Sequence, residues 1–195
     1  MTLKKMAEGR ISSTLLTASD GGLCTSPSDG LIFDLDGLQN DKHYGNTKAA
    51  GGRDTQLYKR GIEIKNHRPW SAISQDELEN IAKGMGIKQL KGEWIGANFI
   101  VEGVSNFSQV PPLSRLVFEN GPVLVVYEEN APCKFPQPHI EANAGKTTKT
   151  FASAAKGQRG LVGWIEKPGE IKIGSTFTVW VPSFYFKSNN PWTTA

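Results

Sequence analysis

The sequence predicts a mostly β fold with a few helices, an α+β domain rich in strands. Glycine and proline supply 21 and 11 of the 195 residues, which suits many short strands joined by turns. Eight short apolar runs have the composition of strands, whereas only two segments have the pattern of a helix. We expect residues 1–195 to form one domain, with a core over about 9–182 and a tail over 183–195.

The predicted strands are runs of β-branched, aromatic and aliphatic residues that lie between turn residues. In chain order they are Ile11–Thr17, Leu31–Leu35, Ile62–Ile64, Asn98–Val101, Arg115–Phe118, Val123–Tyr127, Gly160–Glu166 and Thr176–Val181. They do not alternate with helices, so a repeated strand–helix–strand architecture is not expected.

The clearer of the two helices begins after Ser74, whose hydroxyl can cap the first turn while Glu77 completes a capping box. Gly84 and Gly86 supply its end. Its apolar stripe has helical spacing and consists of Leu78, Ile81, Ala82 and Met85.

The second helix is short, from about Thr150 to Lys156, and ends at Gly157. Residues 142–150 are small, polar and basic, which predicts a mobile loop that is a candidate to close over a ligand. Residues 188–195 are expected to be a frayed end whose Trp192 docks back on the surface.

Charge and hydropathy exclude several function classes. The formal charge is +3, and the lysines and arginines are scattered without an aromatic-interleaved stripe, so we expect no nucleic-acid partner. No apolar run approaches the roughly 20 residues that a membrane span needs. The N-terminal residues carry two lysines without an apolar region behind them, which predicts a cytoplasmic protein with reduced cysteines.

Cys133 is the most informative single residue. It lies between Pro132 and Pro136, which fix φ and disfavour helix in the residues before them, so the segment should be an extended, kinked loop. The neighbouring Lys134 would favour the thiolate, which is the form that acts as nucleophile or metal ligand. The alternative is a buried cysteine that behaves as a small hydrophobic residue.

A second candidate site lies in residues 31–37, which resemble the nucleophile motif of haloacid dehalogenase-type phosphatases. In that reading Asp34 attacks phosphorus, Asp36 acts as general acid and base, and Mg²⁺ screens the charges. No later acidic pair completes the metal site, and the many strands argue against a doubly wound sheet. The plain alternative is a strand that runs into an Asp36-Gly37 turn.

Five segments, in order, are similar to the MOSC domain, the module named after the C-terminal part of molybdenum cofactor sulfurase. They are residues 37–45, with Asp41 and His43 in a turn, residues 68–74, residues 96–103, Pro132-Cys133, and residues 157–174. The chain departs from the family pattern at Asn40, where glycine is commoner, and before Cys133, where acidic residues replace a basic one. We therefore interpret the chain as a small, stand-alone member of this family.

This resemblance implies a largely antiparallel, mixed β-barrel with a few helices, and Cys133 as the characteristic cysteine of the family. The family is associated with the molybdenum cofactor. Its cysteine either carries a sulfane sulfur or ligates molybdenum in reductases of N-hydroxylated compounds. The resemblance thus implies a cofactor-binding protein, an oxidoreductase or a sulfur transferase. A non-catalytic carrier of the pterin or of the whole cofactor is the alternative.

The same resemblance implies a pocket for a pterin with a phosphate and two dithiolene sulfurs. Arg68 and Arg159 are the first candidates for the phosphate, because guanidinium binds phosphate in a bidentate manner. Lys134, His43 and Asn98 are further candidates for the cofactor pocket. Each of these residues also has a structural alternative. Arg68 could pair with Glu77 or another acid, and Arg159 could lie in a solvated turn. Asn98 could cap a strand, and Asp41 could simply form a turn.

The resemblance also bears on partners. The domain that binds pyridoxal phosphate in full-length sulfurases is absent from these 195 residues, so we expect no pyridoxal phosphate on this chain itself. A sulfur carrier would need a cysteine desulfurase as its partner, and a reductase would need an electron donor. Cofactor and substrate would be small molecules.

Overall fold

The computed structural model describes residues 2–17 and 22–187. Its strands are β1 (Leu3–Thr17), β2 (Thr25–Pro27), β3 (Leu31–Asp34), β4 (Gly37–Leu38), β5 (Thr47–Ala49), β6 (Glu63–Lys65), β7 (Trp70–Ser74), β8 (Phe99–Glu102), β9 (Arg115–Phe118), β10 (Val123–Glu129), β11 (Leu161–Lys167), β12 (Gly169–Ile171) and β13 (Thr176–Pro182). Its α-helices are α1 (Gln75–Met85), α2 (Gln137–Ala144) and α3 (Phe151–Ala154). Short 3-10 helices span Gly92–Ile95, Phe107–Gln109 and Ser183–Lys187.

Seven strands close into a mixed β-barrel, which confirms the predicted fold class. Their order is β13, β9, β10, β11, β7, β8 and β1, and β1 pairs back with β13. Only β7 and β8 are parallel in this ring, with Ala72 opposite Phe99. Parallel neighbours need a crossover connection, and α1 lies in the chain between these two strands.

β1 holds the barrel closed because it pairs on both of its sides. Residues 3–10 pair with β13, and residues 10–14 pair with β8. The strand begins well before the predicted start at Ile11. Its first half carries Lys4, Lys5, Glu8 and Arg10, which are exposed on the outer face and weaken the apolar pattern of the sequence.

The helix after Ser74 and its capping box are confirmed, whereas Gly84, which was expected at the end of the helix, lies inside it. The Ser74 hydroxyl accepts from the Glu77 amide at 3.2 Å, and the Glu77 carboxylate accepts from the Ser74 amide at 3.2 Å. Gly86 ends the helix in the left-handed region, with φ of 71°. The predicted stripe of α1 is buried and packs with Phe151 of α3 in a cluster separate from the barrel core.

The predicted loop over residues 142–150 is only partly correct, because residues 142–144 belong to α2. The sequence did not predict this helix because two prolines lie at its start, Pro136 at the N-cap and Pro138 in the first turn. Proline is tolerated there because the amides of the first turn need no acceptor within the helix. α3 begins after Thr150, as predicted, but is shorter than expected. The predicted docking of Trp192 lies outside the described residues.

Asp34 is the last residue of β3, and its side chain stabilises the turn that follows. Its Oδ1 accepts from the Asp36 and Gly37 amides at 2.8 and 3.1 Å, and its Oδ2 accepts from the Tyr44 hydroxyl at 2.9 Å. The closed barrel is also not the doubly wound sheet that a haloacid dehalogenase-type site requires. The phosphatase alternative is therefore wrong. In the part of the chain that the structure describes, no helix has the length and apolarity to cross a membrane.

The 3-10 helix Ser183–Lys187 follows β13 and covers part of the barrel, because Tyr185 and Phe186 pack against its core. The inside of the barrel is filled by large side chains, among them Trp70, Phe99 and Phe107. The barrel thus has a packed interior, and ligands must bind outside it.

Candidate functional site

The predicted site residues meet in one cavity of about 450 Å³, a volume within the range of small-molecule sites. Five of them line this cysteine cavity: Cys133, Arg68, Arg159, His43 and Asn98. Lys134 is exposed and lies outside the cavity wall as the described residues form it. Its proposed effect on the thiolate stays a prediction.

A larger groove of about 830 Å³ lies along β1 and β13, away from these residues. Its described wall contains neither cysteine nor histidine, and four of its five charged side chains pair with one another. Arg10 contacts Glu102 at 2.6 Å, and Lys5 contacts Glu8. The groove therefore offers little reactive chemistry, whereas the smaller cavity holds a thiol, an imidazole and unpaired donor capacity.

Cys133 lies in the irregular segment between β10 and α2, as its flanking prolines predict. The segment is held at two points: the Asn130 amide donates to the Gly160 carbonyl at 2.8 Å, and Arg53 Nη2 donates to the Ala131 carbonyl at 3.0 Å. The thiol residue is half-buried, and Cys133 is a free cysteine. The structure thus places an unbonded thiol in the wall of the cavity.

Arg159 is buried, with 6% of its surface exposed, so the solvated-turn alternative is wrong. Its Nη2 donates to the Ile95 carbonyl at 2.6 Å, whereas Nη1 has no hydrogen-bond partner among the described residues. Burial lowers the pKa of Arg159 to about 10; Cys133 opposes this shift, and Arg68 and Arg53 add to it. A buried cation with a spare donor is stabilised when an anion enters the cavity.

The position of Arg159 follows from the chain beside it. Gly160 has φ of 84°, and a Cβ there would lie 1.9 Å from the Ala72 carbonyl oxygen, so only glycine allows this close approach to β7. The Gly160 amide donates to the Ser108 hydroxyl at 2.6 Å, and the Ser108 amide donates to Glu77 at 2.6 Å. The α1 capping residue therefore also supports the arginine segment.

Arg68 is held by two acceptors at the end of β10. Its Nη1 donates to Glu128 at 2.7 Å, and its Nη2 donates to the Asn130 side chain at 2.8 Å. The partner is thus an acid other than Glu77. Burial lowers the pKa of Arg68, with a further contribution from Arg53, while Glu128 opposes the shift. This bridge connects the entry of β7 to the residues just before Cys133.

Sequence reasoning missed three further cations in the wall, namely Lys42, Lys48 and Arg53. They lie in turns and short strands between residues 42 and 53, where no periodic pattern singles them out. The described wall contains five lysines and arginines and no carboxylate, although Lys48 contacts Asp54 at 2.6 Å outside it. The available signal was the enrichment of basic residues between 42 and 68.

Asp41 is a buried turn residue, as predicted, and also the centre of a hydrogen-bond network. It accepts from the His43 amide and Nδ1, both at 2.9 Å, from the Thr17 hydroxyl at 2.6 Å and from Asn98 Nδ2 at 2.9 Å. Although burial alone would raise the pKa of Asp41, these bonds hold it far below its ordinary value. Asp41 is therefore ionised in the folded protein.

The Asn98 amide is engaged at both ends, because its Oδ1 accepts from the Ser71 amide at 2.9 Å. It lines the cavity while it connects β7 to the Asp41 turn. A second amide, Asn66, was not anticipated: it donates to the His43 carbonyl at 2.8 Å and accepts from the Arg68 amide at 3.1 Å. These two amides fix the turn against the barrel.

The described residues contain no cluster of three or more His, Cys, Asp or Glu side chains that could hold a metal ion. Cys133 is the soft donor in the cavity wall. A metal bound at this thiol would therefore take most of its ligands from a bound cofactor.

Comparisons with known proteins agree with the fold. A sequence model of the MOSC domain matches residues 41–178. A Bacillus subtilis (strain 168) protein described as "putative metal-sulfur cluster biosynthesis proteins YuaD" is 35% identical over 168 residues, which cover 85% of this chain and 87% of that protein.

Among solved structures, the crystal structure of YuaD from Bacillus subtilis has a TM-score of 0.86 and 32% identity, and the match covers 93% of this chain and 100% of that one. YiiM from Geobacillus stearothermophilus has a TM-score of 0.55 at 12% identity, covering 88% of this chain and 74% of that one. The second likeness concerns the fold alone.

Proposed function

This chain belongs to the MOSC domain family, and from that premise we propose that the cysteine cavity binds the molybdenum cofactor with Cys133 as the reactive sulfur. The observation that carries the proposal is Arg159, a buried cation whose Nη1 lacks a partner among the described residues, in the same wall as a free thiol. The description of YuaD as a putative metal–sulfur cluster biosynthesis protein supports a role in sulfur or metal-cofactor chemistry.

The donor set fits the chemistry of such a cofactor. Its phosphate would be held by Arg159 and Arg68, with Lys48 and Arg53 adding positive charge to the cavity. The cavity of about 450 Å³ is large enough for a small organic anion. A bound molybdenum centre would supply redox chemistry that no side chain of this cavity can provide.

Cys133 has two possible roles that use the same wall. As a soft thiolate it would ligate molybdenum in a reductase of N-hydroxylated compounds, with an electron-donor protein as partner. As a sulfur carrier, the thiolate would attack the outer sulfur of a donor persulfide. A new Cys133 persulfide would form, the old S–S bond would break, and the donor would leave as a thiolate. A cysteine desulfurase would then be the partner.

The first experiment measures the molybdenum-to-protein ratio after purification from cofactor-producing cells, for wild type, Cys133→Ser and the control Cys24→Ser. Near-stoichiometric metal that is lost only in Cys133→Ser supports the ligand role. Pterin and metal that both persist in Cys133→Ser support the non-catalytic carrier instead.

The same preparations are assayed for sulfur that cyanide releases. Sulfur carriage is supported if wild type and Cys24→Ser contain releasable sulfur and no metal, and if Cys133→Ser contains no releasable sulfur. A protein that contains neither pterin, metal nor releasable sulfur in any of the three forms would contradict the proposed function.

A further inference from the structure

The cysteine cavity is rich in hydrogen-bond donors and poor in free acceptors. Its five lysine and arginine side chains only donate. The amide oxygens in the wall are already used: Asn66 Oδ1 accepts from Arg68, Asn98 Oδ1 from Ser71, and Asn130 Oδ1 from Arg68. For the amino group of a ligand that also carries a phosphate, the described wall therefore offers hydroxyl groups and the His43 ring as side-chain acceptors.

His43 has the geometry of such an acceptor. Its ring lines the cavity, and its side chain is 54% exposed. Nδ1 lies 2.9 Å from Asp41 Oδ1, while the described residues offer Nε2 no hydrogen bond. The second ring nitrogen is thus available to a ligand.

Asp41 determines which ring nitrogen carries the proton. Its oxygens accept from the His43 amide, from Thr17 and from Asn98, so the carboxylate has only acceptor positions to offer the ring. Nδ1 must therefore be the donor in this pair. In a neutral imidazole with Nδ1–H, Nε2 keeps its lone pair and accepts.

We propose that Asp41 holds His43 in the Nδ1–H tautomer, so that Nε2 accepts a hydrogen bond from an amino-substituted heterocycle in the cysteine cavity. The 2-amino group of a pterin has this chemistry. The inference rests on the proposed function and deepens it: the cations recognise the phosphate, and His43 selects the ring. Asp41 is a positioning residue that acts through His43.

The test compares two phosphorylated probes that differ at one position. 6-Hydroxymethylpterin phosphate presents a 2-amino donor, and the matching lumazine phosphate presents a 2-oxo acceptor. Their dissociation constants are measured by calorimetry at pH 8, where imidazole is ordinarily neutral. We expect wild type to bind the pterin about tenfold more tightly, the effect of one hydrogen bond in a half-exposed site.

Two variants and one control test whether His43 and Asp41 set the preference for the ligand or only support the fold. His43→Leu should bind both probes equally, and the variant should fold because the side chain at this position is 54% exposed. In Asp41→Asn an amide nitrogen in the place of Oδ1 would donate to Nδ1, at the expense of the bond from the His43 amide, and would move the ring proton to Nε2, so the preference should shift towards lumazine. His139→Leu changes an exposed histidine of α2 outside the cavity and should keep the wild-type ratio.

The tautomer is read independently from the ¹⁵N chemical shifts of the His43 ring, without any ligand. Nδ1–H in wild type is expected, and Nε2–H there would overturn the inference, as would equal affinity of wild type for both probes. In both cases the proposed function survives. If neither probe binds wild type, both the inference and the cofactor cavity are contradicted.

Discussion

Arg159 donates to the Ile95 carbonyl through Nη2 at 2.6 Å and leaves Nη1 without a partner in the part of the chain that the structure describes. A buried charge that is only partly paired lowers stability, because burial removes its hydration without full replacement. The charge of Arg159 would therefore favour the binding of an anion while it lowers the stability of the empty protein.

Replacement of Arg159 by an uncharged residue should weaken anion binding without a matching loss of stability. We expect Arg159→Met to keep the free energy of unfolding within about 1 kcal/mol of wild type, since removal of the buried charge offsets the lost bond to Ile95. Affinity for inorganic phosphate should fall at least about tenfold. Calorimetry measures the phosphate affinity, and urea unfolding measures the free energy of unfolding. Arg115→Met, which breaks the pair with Glu166 outside the cavity, should keep wild-type phosphate affinity, and a loss there would contradict the assignment.

The decrease in the free energy of unfolding at acid pH should depend on Asp41. Its folded pKa is depressed by hydrogen bonds from His43 and Thr17 that outweigh burial, so its contribution is fully present above the ordinary value of 3.8 and is lost as pH falls below it. The loss should be about 1.4 kcal/mol per pH unit. Urea unfolding at pH 5 and pH 3 measures this, and Asp41→Asn should show the shallower dependence. Equal slopes would exclude Asp41 as the source.

Gly160 should not tolerate a side chain. Gly160→Ala brings a Cβ to 1.9 Å from the Ala72 carbonyl oxygen and is expected to lower the free energy of unfolding by more than about 3 kcal/mol or to prevent folding. The matched control is Gly157→Ala. Gly157 has a similar φ of 77° but no neighbour closer than 3.9 Å, so only the conformational cost of about 1 kcal/mol applies. Equal effects in thermal unfolding would refute the clash.

Glu128 competes with any anion for Arg68. Glu128→Gln removes the negative charge at 2.7 Å from Nη1, so we expect phosphate affinity to rise by about twofold to fivefold at low salt. Glu129→Gln deletes the same charge from the neighbouring residue, for which the structure gives no contact with Arg68, and serves as the control. An identical rise in both variants, measured by titration with phosphate, would point to net charge instead of the bridge.

Local signals in the sequence were reliable predictors. The capping box of α1 joins two residues three positions apart, so sequence spacing alone defines it. The irregular segment around Cys133 follows from its own prolines. By contrast, Arg159 reaches a carbonyl 64 positions away, and Asp41 meets Asn98 57 positions away. No local pattern encodes such distances, so the burial of the arginine and the network of the aspartate emerged only from the closed barrel.

The pairing of β1 with β13 has a consequence for biosynthesis. The strand that closes the barrel starts at Thr176, so a chain emerging from the ribosome leaves β1 with an unpaired edge until almost all of the described sequence has been made. Contacts between such distant strands also form slowly. The cysteine cavity draws its wall from segments between Leu23 and Val162 and depends on the same barrel. Any ligand of this cavity must therefore bind after the chain has been synthesised and the barrel has closed.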